Sequence, residues 1–470
     1  MRKTKIICTL GPACDDEAVI RRMMLAGMNV ARFNMSHGTI EDHRKRCGMI
    51  KNLRDELGLQ VAMLLDTRGP EIRLMDINGG RTLLESGETF ILTTEDVPGD
   101  NTKAAVTYKN IINDVNVGME ILIDDGLIEL KAEAVTDTDI ICRVINGGVI
   151  SDHKGVNIPG AEISMDYLNE TDRTDILFGI EEEFDYIAAS FVRNAADVLQ
   201  VREILDSHGC NIKIISKIES IQGINNLDGI IDVSDGIMVA RGDMGVEIPF
   251  EEVPILQKEM IKKAVSTGKI VITATQMLES MINNPRPTRA EAADVANAVY
   301  DGTTAIMLSG ESAAGKYPVQ AVETMSRIAV STENDIDYKK RLKRFDMCGS
   351  RDITTVIAYA TCETAMELGA SAIITVTMTG FTAAAVSMFR PGCQIIGCTT
   401  SDSVARQLNL MWGVTSICLK PKKSMEELFH DAVAAALKCN RIKEGNIVVI
   451  TAGVPLGQSG KTNMIRVAKA

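Results

Sequence analysis

Residues Leu64–Arg73 read LLDTRGPEIR, and the parsing of these ten residues decides the fold. An apolar run, Val61–Leu65, stops at Asp66-Thr67; a turn at Gly69-Pro70 follows, then Glu71 and Arg73. A buried strand that ends in a carboxylate and a hydroxyl puts hard oxygen groups at the rim of a sheet, where α/β proteins place their chemistry. Upstream, Lys5–Leu10 and Val30–Phe33 read as strands, and Asp15–Ala26 and Glu41–Leu57 as amphipathic helices. Alternating strands and helices imply a parallel sheet covered by helices.

Downstream the pattern breaks. Residues 71–166 carry short Thr-, Val- and Ile-rich runs separated by Asn78-Gly79-Gly80 and Asp124-Asp125-Gly126, a reading of strands and turns. From Asn169 the alternation resumes, with strands expected at Asp185–Ser190, Ile212–Ile218, Gly236–Ala240, Ile270–Thr275 and Ala305–Leu308. Three strands before the break and five after it give the eight of a (β/α)8 barrel. A polar stretch, 346–351, precedes further strands at Ala370–Val376, Gln394–Cys398, Val414–Cys418 and Asn446–Ile450. The expected organisation is α/β: a TIM barrel from 1–70 and 167–345, an inserted all-β lid domain (a β-barrel) at 71–166, and a C-terminal α/β domain at 346–470.

At 470 residues the chain exceeds one compact core. A formal net charge of -13 argues against nucleic acid or an anionic membrane as partner, so a phosphorylated substrate needs a local cluster of Arg and Lys. The apolar run near the N-terminus is too short for a signal-peptide core, and no run approaches a membrane span. The 11 cysteines are scattered without a CxxC pair, which fits a cytoplasmic protein. They and the 24 methionines read as core filler.

The expected strand ends are rich in polar groups: Arg32, Asn34, Ser36 and His37 after the second, Asp66 and Thr67 at the third, Ser190 at the fourth. Lys217 and Glu219 close the fifth, Gly242 and Asp243 follow the sixth, Thr275 ends the seventh and Glu311 follows the eighth. Lys217 and Glu219, two apart, point the same way. Two carboxylates on neighbouring strands, Glu219 and Asp243, suit a divalent cation. On their own, Lys-x-Glu also reads as a surface ion pair, and Asn34 and Ser36 as turn residues.

LLDTRGPEIR, GIMVARGDMGVEIP (236–249), NPRPTRAE (284–291) and TTAIMLSGESAAGKYP (303–318) together resemble the pyruvate kinase family, of the bacterial type without an extra C-terminal extension. The resemblance implies transfer of a phosphoryl group from phosphoenolpyruvate to ADP, giving pyruvate and ATP, by a cytoplasmic homotetramer. It implies Mg²⁺ (or Mn²⁺) on Glu219 and Asp243, and K⁺ on Asn34, Ser36, Asp66 and Thr67. Lys217, Arg32 and Thr275 become catalytic, and Gly242 and Asp243 join them in holding substrate. Asn34, His37, Arg73 and Lys154 contact the nucleotide. Glu71 goes with K⁺ dependence. Departures are few: Arg68 stands for the usual Lys, and Thr304 and Ser312 for Asp and Thr.

Two rival readings remain at this point. A metal-dependent aldolase of phosphoenolpyruvate or pyruvate shares the carboxylates but does not need Lys154 or four K⁺ ligands. An inactive metabolite-sensing homologue would be expected to lack Lys217 or Asp243. In the last domain, VTMTGFTAAAV (376–386) runs strand, turn, helix, and Thr377, Thr379, Gly380 and Thr382 offer hydroxyls and helix N–H groups to one phosphate. The closing loop GVPLGQSGKTN (453–463) has no Arg and only Lys461, which implies a monophosphate effector, such as AMP or a sugar monophosphate, over fructose 1,6-bisphosphate.

Overall fold

The structure, a computed structural model, describes residues 2–345, 352–422, 424–455 and 460–470. Eight parallel strands close into a barrel: Lys5–Thr9, Val30–Asn34, Ala62–Asp66, Tyr186–Ala189, Lys213–Ile218, Gly236–Ala240, Ile270–Ala274 and Ala305–Leu308. Every residue of the first, third, sixth and seventh is buried. Strands buried on both faces read as continuous apolar runs, which is why they stand out in the sequence. Helix boundaries follow capping chemistry. The Asp16 side chain accepts from Ala18 N, so that helix begins at Glu17. Thr39 and Asp42 form a capping box on helix Ile40–Leu57, which ends at Gly58 in the left-handed region.

The strands of the insert form a six-stranded sheet and a separate two-stranded one, with one helical turn at Ile111–Asp114. The two edges of the larger sheet are Val156–Asn157 and Lys103–Ala105, of 2 and 3 residues. Residues 72–75 bridge these edges: Val156 N donates to Ile72 O and Leu74 N to Lys154 O on one side, and Met75 N donates to Ala105 O and Thr107 N to Arg73 O on the other. The insert has its own core, including Leu74, Phe90, Leu92, Ile121 and Leu130.

The C-terminal sheet has five strands in the order Val414–Cys418, Gln394–Thr399, Ala372–Val376, Ile447–Ala452, Met464–Lys469. The last is antiparallel and absent from the sequence reading. The expected boundary at 346–351 lies outside the described residues. This sheet and its helices sit under the N-terminal ends of the barrel strands. Leu410 packs with the barrel-interior residues Ile7, Leu64 and Ile215. The Tyr186 hydroxyl donates to Gln407 O (2.5 Å), Arg406 Nε pairs with Asp185 Oδ1 (2.8 Å), and Lys5 Nζ donates to Val414 O (2.5 Å). The opposite, C-terminal rim faces the insert.

Candidate active site

At that rim, four strands contribute one buried charge cluster. Lys217 Nζ lies 3.2 Å from Asp66 Oδ1, 3.0 Å from Glu219 Oε1 and 2.7 Å from Ser190 Oγ. Arg32 Nε pairs with Asp66 Oδ2 at 2.5 Å, and its Nη1 donates to Thr9 Oγ1 at 2.8 Å. Burial works against every charge here, and neighbours decide each outcome. For Asp66, burial is outweighed by Arg32 and Lys217, and its carboxyl is held below the usual range. For Lys217, burial is outweighed by Asp66 and Glu219, which keep the ammonium protonated. For Glu219 burial wins: despite Lys217, and helped by Asp243, the carboxyl is pushed up to about 8. Glu219 Oε2 accepts from Phe191 N at 2.6 Å, but Oε1 has no partner in hydrogen-bond geometry, because Lys217 approaches it off-axis. A buried carboxylate oxygen without a hydrogen bond is the observation that fits a further, coordinating cation.

Asp243 follows on the neighbouring strand, in the short helix Arg241–Glu247. Thr275 is a β-branched residue in the left-handed region (φ 66°), followed by Gln276 at φ 52°. That conformation is costly and points to strain held by the surroundings. Thr275 Oγ1 accepts from Gly242 N (2.8 Å) and donates to Ala274 O (2.6 Å). Arg241 Nη2 donates to Thr275 O at 2.6 Å while its Nη1 pairs with Asp294 at 2.8 Å. A Cβ on Gly242 would meet only the Thr275 side chain, at an ordinary 3.6 Å. Packing does not demand this glycine; close approach of a ligand gives it a reason.

Between this rim and the insert lies a cleft of about 510 Å³, walled by His37, Arg73, Lys154, Asp125, Asp243 and Glu247 among others. Lys154 Nζ pairs with Asp124 Oδ1 (2.6 Å), and Arg73 Nη2 with Glu71 Oε2 (2.5 Å). Asp124 and Asp125 both sit in the left-handed region (φ 56° and 55°). Burial, then Asp243 and Asp124, push the Asp125 carboxyl up. His37 is exposed, and its carbonyl meets His43 Nε2 at 2.9 Å. Asn34 is directly opposite Asp66 in register; its Oδ1 accepts from Ser36 N at 3.2 Å. Thr67 Oγ1 accepts from Ser190 N at 3.1 Å. These four residues form an all-oxygen donor set suited to a hard monovalent cation. Among the described residues no three His, Cys, Asp or Glu side chains make a ready metal cage. A divalent ion on Glu219 and Asp243 would complete its shell with ligand and water oxygens.

The structure thus gathers Lys217, Arg32, Glu219, Asp66, Thr67 and Asn34 with Gly242, Asp243 and Thr275 on one rim. His37, Arg73 and Lys154 line the cleft above. The residues expected to take an effector lie in the C-terminal module. Thr377 Oγ1 accepts from Gly380 N (3.0 Å), and Thr382 Oγ1 meets Thr462 Oγ1 (2.9 Å). Thr377, Thr379, Thr382 and Lys461 share a small pocket of about 70 Å³. Of the closing loop, 456–459 lie outside the described residues.

Four supporting residues had no role assigned from the sequence, although Ser190 and Glu311 stand among its polar strand ends. Ser190 links Lys217 to Asp66 and Thr67 O. Arg241 clamps the Thr275 turn. Glu311, fully buried, accepts from Leu278 N and Ser309 N. Glu247 is pushed up to about 7 by burial, against hydrogen bonds from Ile221 N and the Asn157 side chain, with Asp243 adding to the rise. Only their strand-end positions signalled them.

A closed barrel whose rim carries buried lysine, arginine and paired carboxylates beside an inserted domain suits a phosphoryl-transfer enzyme with metal-assisted chemistry. Two family models match, "Pyruvate kinase, barrel domain" over residues 1–322 and "Pyruvate kinase, alpha/beta domain" over 355–468. A pyruvate kinase of Staphylococcus haemolyticus is 50% identical over 469 residues, covering 99% of this chain and 80% of the relative. One from Clostridium acetobutylicum is 49% identical over 469 residues, 99% of both chains. The crystal structure of a pyruvate kinase from Cryptosporidium parvum superposes with a TM-score of 0.95 at 39% identity, covering 100% of this chain and 96% of that one. The chain belongs to the pyruvate kinase family. It is a glycolytic phosphotransferase, metal-dependent like its family, that acts on phosphoenolpyruvate and ADP to give pyruvate and ATP. No helix among the described residues is long and apolar enough to cross a membrane.

Proposed function

We propose that the Lys217 cluster is where the phosphoryl group moves. The observation that carries this is the Glu219 Oε1 atom, buried without a hydrogen-bond partner 3.0 Å from Lys217 Nζ. Glu219 and Asp243 hold Mg²⁺ (or Mn²⁺), and Asn34, Ser36, Asp66 and Thr67 hold K⁺. Bound there, the cations neutralise phosphate charge and align its oxygens. Lys217 and Arg32, fixed by Asp66, Ser190 and Thr9, present positive charge to the transferring group, so little reorganisation is needed as charge develops. Gly242, Asp243 and Thr275 seat the substrate carboxylate. Thr275, held by Gly242 N and Ala274 O, is the candidate that relays a proton through water to the enolpyruvate carbon. Asn34, His37, Arg73 and Lys154 receive the nucleotide; Arg73 and Lys154 exchange their pairing with Glu71 and Asp124 for phosphate. The insert closes as a lid and excludes water.

The domain limits that serve this scheme are 1–70 with 167–345, 71–166 and 346–470. The working form is a cytoplasmic homotetramer, and the Thr377–Thr382 segment takes a phosphorylated effector, a monophosphate. The test is a coupled assay of pyruvate formation from phosphoenolpyruvate and ADP, with Mg²⁺ fixed and K⁺ present or replaced by tetramethylammonium. Activity independent of K⁺ would rule out the cation scheme.

A further inference from the structure

The chain returns from the insert to the barrel within a very short stretch. Ile163 and Met165 pack against the core of the insert, whereas Tyr167 already belongs to the core of the barrel. Ser164 ties this stretch to the insert a second way. Its Oγ donates to Asp114 Oδ1 at 2.9 Å, and its N–H donates to Asp114 Oδ2 at 2.9 Å. The Tyr108 hydroxyl closes the group, donating to Asp114 Oδ2 at 2.7 Å and meeting Ser164 Oγ at 2.9 Å. Residues 163–165 are therefore part of the packing of the insert.

Across that junction the barrel reaches back with one side chain. Arg193 follows the fourth strand, in the same strand end as Ser190 of the Lys217 cluster. Its Nη1 donates to two carbonyls of the returning stretch, Ile163 O (2.9 Å) and Met165 O (2.7 Å). Its Nε donates to Asp197 Oδ2 at 3.0 Å and its Nη2 to Asp197 Oδ1 at 3.2 Å. Asp197 is buried in helix Ala195–Ser207, outside the barrel strands. The guanidinium also lies 5.8 Å from the Tyr167 ring, and the Tyr167 hydroxyl donates to Ser190 O at 3.0 Å. One planar fork thus divides its edges: a barrel carboxylate fixes one, and the other grips backbone that belongs to the insert. A lysine has no such geometry, and bonds from a charged donor are the stronger kind. Arg193 and Ile163 both line the active cleft. The outgoing crossing is held differently, by Arg68 N and Gly69 N donating to Asp172 Oδ1, both at 3.1 Å.

We propose that Arg193 is a positioning residue for the nucleotide: it seats the insert over the barrel rim and so places Arg73 and Lys154. The inference rests on the reading that these two side chains receive the nucleotide. They ride on the insert, whereas Gly242, Asp243 and Thr275 ride on the barrel. Loosening the junction therefore disturbs one substrate and spares the other. A misplacement of about 1 Å, far from the chemistry, is enough to cost about 10²-fold.

The experiment is steady-state kinetics of the full chain, with ADP varied at saturating phosphoenolpyruvate and the reverse. Arg193→Met is expected to raise the KM for ADP by about tenfold or more, and that for phosphoenolpyruvate by less than about twofold. Arg193→Lys recovers only part of the loss. Ser164→Ala, on the insert side of the same link, raises the ADP KM by less. In the double variant Arg193→Met with Ser164→Ala the two effects fall short of their product, because both act on one link. An ADP KM within twofold of wild type in Arg193→Met, or equal rises in both KM values as from a general loss of structure, would overturn the proposal. Lys154→Ala separates the two readings. An unchanged ADP KM there removes the nucleotide assignment itself; a raised one, beside an unchanged value in Arg193→Met, removes the role of Arg193 alone. If Arg193→Met does not fold, Arg193→Lys and Ser164→Ala decide, and an unchanged ADP KM in both overturns the proposal.

Discussion

Replacing Lys217 by Met is the sharpest perturbation of the site. The side chain keeps its length and loses its charge, leaving Asp66 and Glu219 buried with Arg32 as the remaining cation of the cluster. Each Lys217–carboxylate contact, at 3.2 and 3.0 Å, is worth roughly 5 kcal/mol at an effective dielectric of about 20. Desolvation offsets several kcal/mol per ion, so removing one partner of a buried set costs a net of about 3–5 kcal/mol. Stability for domains is on the order of 5–15 kcal/mol, so the variant stays folded with a lower melting temperature. Saturating Mg²⁺ should restore part of that loss by supplying charge to Glu219. The catalytic cost is separate: a preorganised contact to developing charge is worth about 10²- to 10³-fold in kcat. The assays are kcat at saturating phosphoenolpyruvate and ADP, and thermal unfolding followed by circular dichroism with and without Mg²⁺. A Lys217→Met enzyme with kcat within tenfold of wild type would refute the assignment. Lys217→Arg, with charge retained in a planar fork, should recover stability more than rate.

Glu71→Lys should free the enzyme of most of its K⁺ requirement, measured as the ratio of activity in K⁺ to that in tetramethylammonium; an unchanged ratio contradicts the role of Glu71. Glu247 titrates at about 7 in the fold, raised by burial above its ordinary 4.5, so its contribution to stability is present below pH 4.5 and lost as pH rises through about 7. Melting temperature should therefore fall more steeply from pH 5 to 7 in the wild type than in Glu247→Gln, and parallel curves would discount the shift. Thr275→Ala should lower kcat by about 10²- to 10⁴-fold and raise phosphoenolpyruvate KM by less; a rise in KM with kcat unchanged points to seating alone. In saturation curves for phosphoenolpyruvate at fixed ADP, monophosphates should activate and fructose 1,6-bisphosphate should not; strong activation by micromolar bisphosphate would reverse the reading of the closing loop.

What the sequence made legible follows from burial. Barrel strands such as Ala62–Asp66 and Gly236–Ala240 are buried at every residue, so they read as apolar blocks ending in polar ones. Met464–Lys469 has no fully buried residue and is an edge strand, so nothing in its composition marked it. Lys217, Glu219, Asp243 and Ser190 stood out because polar groups at the ends of apolar runs are conspicuous. The part Ser190 plays did not, and Glu247 went unremarked: a serine or glutamate gains its role only from what the fold brings beside it, Lys217 in one case and Asn157 of the insert in the other.

The two ends of the barrel are tied through the same strands. Lys213 opens the fifth strand beside a cavity of about 490 Å³ between the barrel base and the C-terminal module, and Lys217 lies near its end, in the active cluster. Asp235 and Ile270 stand at the base of the sixth and seventh strands, whose tops lead to Asp243 and Thr275. Four residues of strand span about 13 Å, so charge bound at one end lies close to the other, along a backbone too rigid to absorb displacement locally. Proximity alone does not make regulation. A ligand on the C-terminal module changes substrate affinity only if the barrel and the C-terminal module have two arrangements that it binds unequally. The contacts between them supply a place for such a difference: Arg406–Asp185, Tyr186–Gln407 and Lys5–Val414 all cross the same boundary that the cavity interrupts. Burial lowers the Lys5 pKa to about 7, with Arg2 adding to the fall. That boundary therefore contains a cation whose charge is weakly held.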